Sequence, residues 1–160
     1  MPAWTYPDSQ NDYLKSHALI LLCSFAHWTG RSLIDPTLPE VEQARQLFLA
    51  PFAVVSHNTT PDPIFNYGNQ TALTLFELSW DEFTTLPSRQ SAEPMQQDER
   101  AQLLAQVTRD GYIERDTPIG VRITKSGRRF LIEKGIVWNL LDENGLHYGQ
   151  AATYGDWTFL

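Results

Sequence analysis

The segment from Arg128 to Leu141 constrains this chain more than any other. Read as a strand, it places Phe130, Ile132, Ile136, Trp138 and Leu140 on one parity, while Leu131, Val137 and Leu141 make the other parity partly apolar. An antiparallel sheet with one wet face alternates more cleanly, so both faces of this sheet need a cover. Lys134 breaks the first row beside Gly135, which predicts a bulge there. A cover for one face lies early in the chain. Leu14, Ala18, Leu21, Phe25 and Trp28 form one stripe of a helix, widened by Leu19, Ile20, Leu22 and Cys23. A helix this apolar needs contact on more than one side, from its own domain and from a partner chain. The run Ala18 to Ala26 is about half the length that spans a bilayer. It follows Asp8 and Asp12 and precedes no small-residue cleavage site, so it does not read as a signal peptide.

The rest of the chain divides near Pro51. A second helix is expected from a Thr37-x-x-Glu40 capping box through Val41, Ala44, Leu47 and Phe48. Phe52 to His57 and Ile64 to Tyr67 read as strands around a breaker-rich turn. Asn69 and Ser79 stand as N-caps of two short helices. Gln96 to Arg109 reads as a longer helix closed by Gly111. Ile119 to Thr124, Arg128 to Leu141 and Leu146 to Tyr154 then form a meander, with Asp142-Glu-Asn-Gly145 as one turn.

The 160 residues are 42% hydrophobic and 19% charged, a globular composition with enough length for a core of its own. A net charge of −7 gives no general attraction to nucleic acid or anionic membrane. The single Cys23 excludes an internal disulfide and a cysteine-rich zinc site, so a cytoplasmic protein is expected. Cys23 and His27 share a helix face, but His17 sits too far around the helix to complete a metal site. Ser56-His57 with Asp62 nearby invites a triad, yet neighbours on a strand point to opposite faces and no nucleophile elbow is present. No catalytic residue is assigned.

Phe65-Asn-Tyr-Gly-Asn69, with Ala72, Leu75, Phe76 and Ser79-Trp-Asp-Glu82, resembles the strand-into-helix segment of PAS domains. Ser126-Gly-Arg128 and Leu141-Asp-Glu-Asn-Gly145 resemble the turns around their fourth strand. Ser56-His57, Asp62-Pro-Ile-Phe-Asn-Tyr67, Pro87-Ser-Arg89, Gly127-Arg-Arg-Phe130, Val137-Trp-Asn139 and Gly149-Gln-Ala-Ala152 are similar to one PAS-related branch, the MEKHLA domain family. Thr29-Gly-Arg31 and the helix before Pro51 resemble its free-standing bacterial members. The resemblance implies an α+β fold: a PAS-like five-stranded antiparallel sheet with helices on one face. An N-terminal helical extension of two helices (1–50) packs on the other face of the PAS-like domain (51–160). It implies a sensory or regulatory module, with a small-molecule ligand, a protein partner, or both, signalling through a helix-mediated homodimer.

In that frame the ligand-binding candidates are His57, Tyr67, Trp138, Asn139 and Gln150, polar-tipped or amide residues on expected strands. The dimer stripe is Leu14, Ala18, Leu21, Phe25 and Trp28. Arg122, Arg128 and Arg129 belong to a hairpin with five cations and one acid in thirteen residues, a patch for an anion or acidic partner, or a solvated edge. The cofactor is unknown. No cysteine follows position 23 and no histidine lies between His57 and His147, so covalent flavin, haem and cinnamoyl chromophores are not expected. The flavin class also carries a Gln two residues after a Gly on the last strand. Here Gln150 follows Gly149 directly, which puts it on the other face in an unbroken register. Two other readings compete: a small enzyme with His57 or Glu133 as base, and a structural dimerisation module whose core is filled by Phe65, Phe130 and Trp138.

Overall fold

The computed structural model describes residues 5–160. Asp8 caps a short 3-10 turn, Ser9–Leu14, and the chain then enters α1 (Lys15–Thr29) and α2 (Glu40–Leu49). β1 (Ala53–His57) and β2 (Phe65–Gly68) follow, then α3 (Gln70–Phe76), α4 (Trp80–Phe83) and α5 (Pro94–Asp110). The chain ends in β3 (Tyr112–Arg115), β4 (Gly120–Ile123), β5 (Arg129–Leu141) and β6 (His147–Phe159). All pairings are antiparallel, in the order β2-β1-β6-β5-β3, with β4 also on β5.

Five sheet positions therefore hold six strands. β3 pairs with the second half of β5 and β4 with the first, and Asp116-Thr-Pro118 interrupts what would be one strand. Tyr112–Arg115 carries too short a run to read as a strand from sequence; its partner Ile136–Trp138 provides the pairing. Asn69 and Ser79 cap α3 and α4 as expected. Thr37 does not cap α2. Its hydroxyl donates to Asp35 Oδ1 at 2.7 Å, and Pro39 holds the cap position without a side-chain bond. The first helix starts at Lys15, because Leu14 takes a left-handed φ of 54°.

The predicted bulge is present and alters the parity of β5. Register shifts fall on both sides of Lys134, and a Cβ on Gly135 would lie 2.8 Å from the Thr153 carbonyl oxygen. Ile132 before the bulge and Val137 after it line one cavity on the α5 side. Trp138 turns the other way, onto α1, with its ring edge-on to Phe25 at 5.1 Å. The single row read from Phe130 to Leu140 is thus two rows on opposite faces.

Both faces are covered. On one, α5 packs Leu103 and Val107 against Ile113 and Val137. On the other, α1 lays Ala18, Leu21 and Phe25 on the sheet, each 2% exposed or less. Three polar contacts fix the helix. Trp138 Nε1 donates to the Leu21 carbonyl at 3.3 Å, Trp28 Nε1 donates to the Asn139 carbonyl at 2.9 Å, and Ser24 Oγ accepts from Leu141 N at 2.8 Å. The stripe expected to form a dimer is therefore consumed within the chain, because the outer face of the sheet needs the same apolar cover. The outward side of α1 is polar by comparison, with Ser16, Cys23 and His27 exposed and Ile20 half-buried.

This packing predicts that Leu21→Ala or Phe25→Ala lowers unfolding free energy by about 2–5 kcal/mol. Cys23→Ala, on the exposed side, stays within about 0.5 kcal/mol. Urea denaturation checks both. Equal midpoints for all three variants would show that α1 is not seated on the sheet.

Candidate ligand site between α5 and the sheet

Alternation along β1 sends neighbouring side chains to opposite sides of the sheet. Ser56 faces α1, where its Oγ lies 2.9 Å from His17 Nε2. His57 faces α5, with Nδ1 3.0 Å from Ser88 Oγ and Nε2 3.2 Å from Gln150 Oε1. The Gln150 amide nitrogen reaches three acceptors: the Leu104 carbonyl at 3.1 Å, Thr108 Oγ1 at 2.9 Å and Asn139 Oδ1 at 3.1 Å. That orients its oxygen toward His57. An amide oxygen only accepts, so His57 Nε2 carries the hydrogen and Nδ1 accepts from Ser88. Asn139 Nδ2 donates to the Val107 carbonyl at 2.9 Å. The result is a buried polar chain tying β1, β6 and β5 to α5 and the turn before it.

Of the five ligand candidates, the structure brings three together and separates two. His57, Asn139 and Gln150 form the chain just described. Tyr67 and Trp138 lie across the sheet, each 0% exposed, with Tyr67 against His17, Phe48 and Trp80. The expected outward placement of Gln150 is corrected. Gly149 takes a φ of 145° beside a register shift at Leu140/Leu141, and a Cβ there would meet the His57 carbonyl oxygen at 2.1 Å. This close backbone approach, open only to glycine, turns Gln150 inward.

The arginine group is also redistributed. Arg128 stacks on Phe159, 3.8 Å from the ring centroid, and Arg129 pairs with Glu93. Lys125 and Lys134 of the same hairpin pair with Glu82 and Asp156. Arg122 is not on that surface at all. It is 8% exposed and points inward, where it lines a cavity of about 60 Å³ with Arg100, Ser91, Ile132, Val137 and Tyr154. An adjoining space of about 40 Å³ is lined by His57, Gln150 and again Arg100. Arg100 was not singled out from sequence. It lies on the buried side of a helix whose sequence is largely polar, so no apolar stripe marks its position.

Glu133, the other base considered, accepts from Thr158 Oγ1 at 2.7 Å and makes no bond to His57. No cluster of three or more potential metal ligands occurs among the described residues. A larger concavity, about 1030 Å³, is an open groove between the α1–α2 connection and the far end of the sheet. Its charged residues, Glu114, Arg115, Asp116 and Lys134, are of mixed sign.

The profile of the MEKHLA domain family matches residues 15–159. The chain belongs to the MEKHLA domain family. The match takes in α1 and α2, which share one core with the sheet. No curated protein matches. Among solved structures, a PAS domain from Colwellia psychrerythraea aligns at TM-score 0.59 and 17% identity, over 70% of this chain and 91% of that one. A light-oxygen-voltage domain solved with a flavin analogue aligns at TM-score 0.56 and 17% identity, over 74% and 84%. The photo-excited blue-light photoreceptor Vivid aligns at TM-score 0.50 and 12% identity, over 66% and 78%. These likenesses show the PAS fold for this MEKHLA chain. A flavin does not fit the residues present. Phe65 stacks on Phe83 at 4.2 Å and Phe76 packs beside both. The 60 and 40 Å³ left over fall far below the roughly 300–1,000 Å³ of sites for larger ligands.

Burial holds the His57 imidazole down at about 4, with the charge of Arg100 adding to the effect. His17, enclosed under α1, is held at about 3 by burial. Unfolded histidines, near 6.5, bind protons that these folded ones refuse. Stability is therefore full above about pH 6.5 and falls as pH drops toward about 4 for His57 and about 3 for His17. Each histidine adds a slope of up to about 1.4 kcal/mol per pH unit in its window. Urea unfolding at pH 7 and pH 5 measures this, and His57→Gln lessens the loss. Equal stability at both pH values would contradict it.

Proposed function

We propose that this MEKHLA domain is a sensory module whose input is a small molecule taken up between α5 and the sheet, and whose output is the seating of α1. The observation that carries this reading is Asn139. Its side chain holds α5 through Val107, while its backbone carbonyl accepts from Trp28 of α1. Its own N–H donates to the Gly111 carbonyl at 3.0 Å, just beyond α5. A Cβ on Gly111 would lie 2.5 Å from the Trp28 ring. The last turn of α5 and the last turn of α1 are thus clamped on the two sides of one residue of β5. A ligand that prefers one seating of α5 shifts α1 by its differential affinity for the two arrangements.

The surface left to report that shift is the outward side of α1. Ser16, Ile20, Cys23 and His27 recur there at helical spacing, and a second copy or another protein would meet these residues. The aromatic filling by Phe65, Phe76 and Phe83 favours a small ligand over a large chromophore. No described helix is long and apolar enough to cross a membrane.

Native mass spectrometry of the protein, before and after exposure to the sub-kilodalton fraction of a cell extract, tests the input. A stoichiometric adduct released on denaturation is expected, with a change in tryptophan emission from Trp28 and Trp138. An unchanged apo mass and unchanged emission would overturn the reading.

A further inference from the structure

Arg100 and Arg122 are two inward-facing charges that the packing of the fold does not explain. Both line the 60 Å³ cavity between α5 and the sheet, and no aspartate or glutamate lines it. Neither arginine takes part in an ion pair among the described residues. Among the described residues Arg122 makes one side-chain hydrogen bond, from Nη1 to the neighbouring Val121 carbonyl at 2.9 Å, and the Arg100 side chain makes none. Taking a guanidinium out of water costs several kcal/mol unless an opposite charge or well-placed acceptors replace the water. Two of them facing one space raise that cost. Burial weakens the hold of both on their protons, and the charge of Arg122 weakens that of Arg100 further. Arg100 is brought down to about 9 by burial first and the charge of Arg122 second. Burial lowers Arg122 as well.

The local structure is shaped to keep Arg122 inside. β4 alternates so that Arg122 is the buried residue of Gly120–Ile123. Gly120 adopts a φ of 151°, and a Cβ there would crowd Arg122 Nη1 at 3.0 Å. The remaining polar lining is neutral: Ser91, whose hydroxyl donates to the Ser88 carbonyl, and Tyr154, whose phenol is held in its protonated form by burial. A space open to a single water needs only about 10–15 Å³ by the same measure, so 60 Å³ admits a group of a few heavy atoms.

We propose that this cavity binds a small carboxylate, held between the guanidiniums of Arg100 and Arg122. A planar carboxylate matches the fork of donors on each arginine and supplies the missing negative charge. The adjoining 40 Å³ beside His57 and Gln150 takes the short remainder of the molecule. This assignment rests on the sensory reading above and narrows its ligand to one chemical class. It also names the lever: an anion drawing Arg100 toward Arg122 pulls on α5, whose far end is clamped to α1 through Asn139.

The test is calorimetric titration and thermal unfolding of the dialysed full chain with formate, acetate, malonate and succinate, beside chloride, phosphate and the neutral amides acetamide and malonamide. At least one carboxylate is expected to bind and raise the melting temperature, with its amide counterpart at least tenfold weaker. Arg122→Gln and the less buried Arg100→Gln are each expected to weaken that carboxylate at least tenfold. Arg122→Met, which removes the uncompensated charge, is expected to leave the ligand-free protein folded and to raise its melting temperature. That would separate lost binding from lost structure. Binding of chloride or phosphate alone, equal binding of amide and acid, or full affinity in both glutamine variants would each overturn the carboxylate assignment. Equal binding of amide and acid would leave the sensory reading standing. If no probe binds and the cell-extract fraction leaves the protein unchanged, both fall.

Discussion

The long strand β5 has no face to spare for water, and the rest of the fold follows from that. Its thirteen residues, about 43 Å long, would leave two apolar surfaces exposed if only one layer of helices were present. α5 with α3 and α4 covers one side, and α1 covers the other. The chain therefore spends its most apolar helix on its own sheet. The two layers meet across a single thickness of strand, so a residue such as Asn139 can hold both at once, one through its side chain and one through its carbonyl.

The inner face combines two materials with different consequences. Phe65, Phe76 and Phe83 close most of the volume, which fixes the position of α3 and α4 and leaves little room. Beside them lies a polar chain, Ser88–His57–Gln150–Asn139, in which each side chain finds a partner. A satisfied chain of this kind rigidifies its surroundings. The two arginines are the exception, since they face a small space with little bonding of their own. Natural proteins tolerate such costs chiefly where function needs them. The contrast between a satisfied network and unsatisfied cations within one layer is what marks the proposed ligand site off from ordinary core.

Much of the architecture was legible because the signals are local and periodic. The stripe on α1, the caps at Asn69 and Ser79, the bulge beside Gly135 and the motifs shared with MEKHLA domains all depend on short spacings. The site was legible only in part. His57, Asn139 and Gln150 were identifiable as polar residues on strands, but their common face depends on two backbone irregularities. One is the bulge at Lys134; the other is Gly149, pressed against the His57 carbonyl. A one-residue slip moves every later side chain to the other face, and periodicity cannot locate such slips to the residue. Trp138 follows the bulge at Lys134 and so lands on the α1 side; Tyr67, paired with Ser56 of β1, lies there too. Arg122 looked like one more cation of an exposed hairpin, since nothing in its neighbours' sequence distinguishes inward from outward on a four-residue strand.

The central claim is that the polar chain under α5 and the seating of α1 are one coupled unit, joined through β5. A double-mutant cycle between Gln150→Leu and Trp28→Phe measures this directly, because the two side chains make no hydrogen bond to each other and each bonds Asn139 from an opposite side of the sheet. The account predicts that the two losses in unfolding free energy fail to add, with a coupling of at least about 0.5 kcal/mol. Losses that add to within about 0.3 kcal/mol would contradict it, and would leave α1 and the inner site as independent parts of the same sheet.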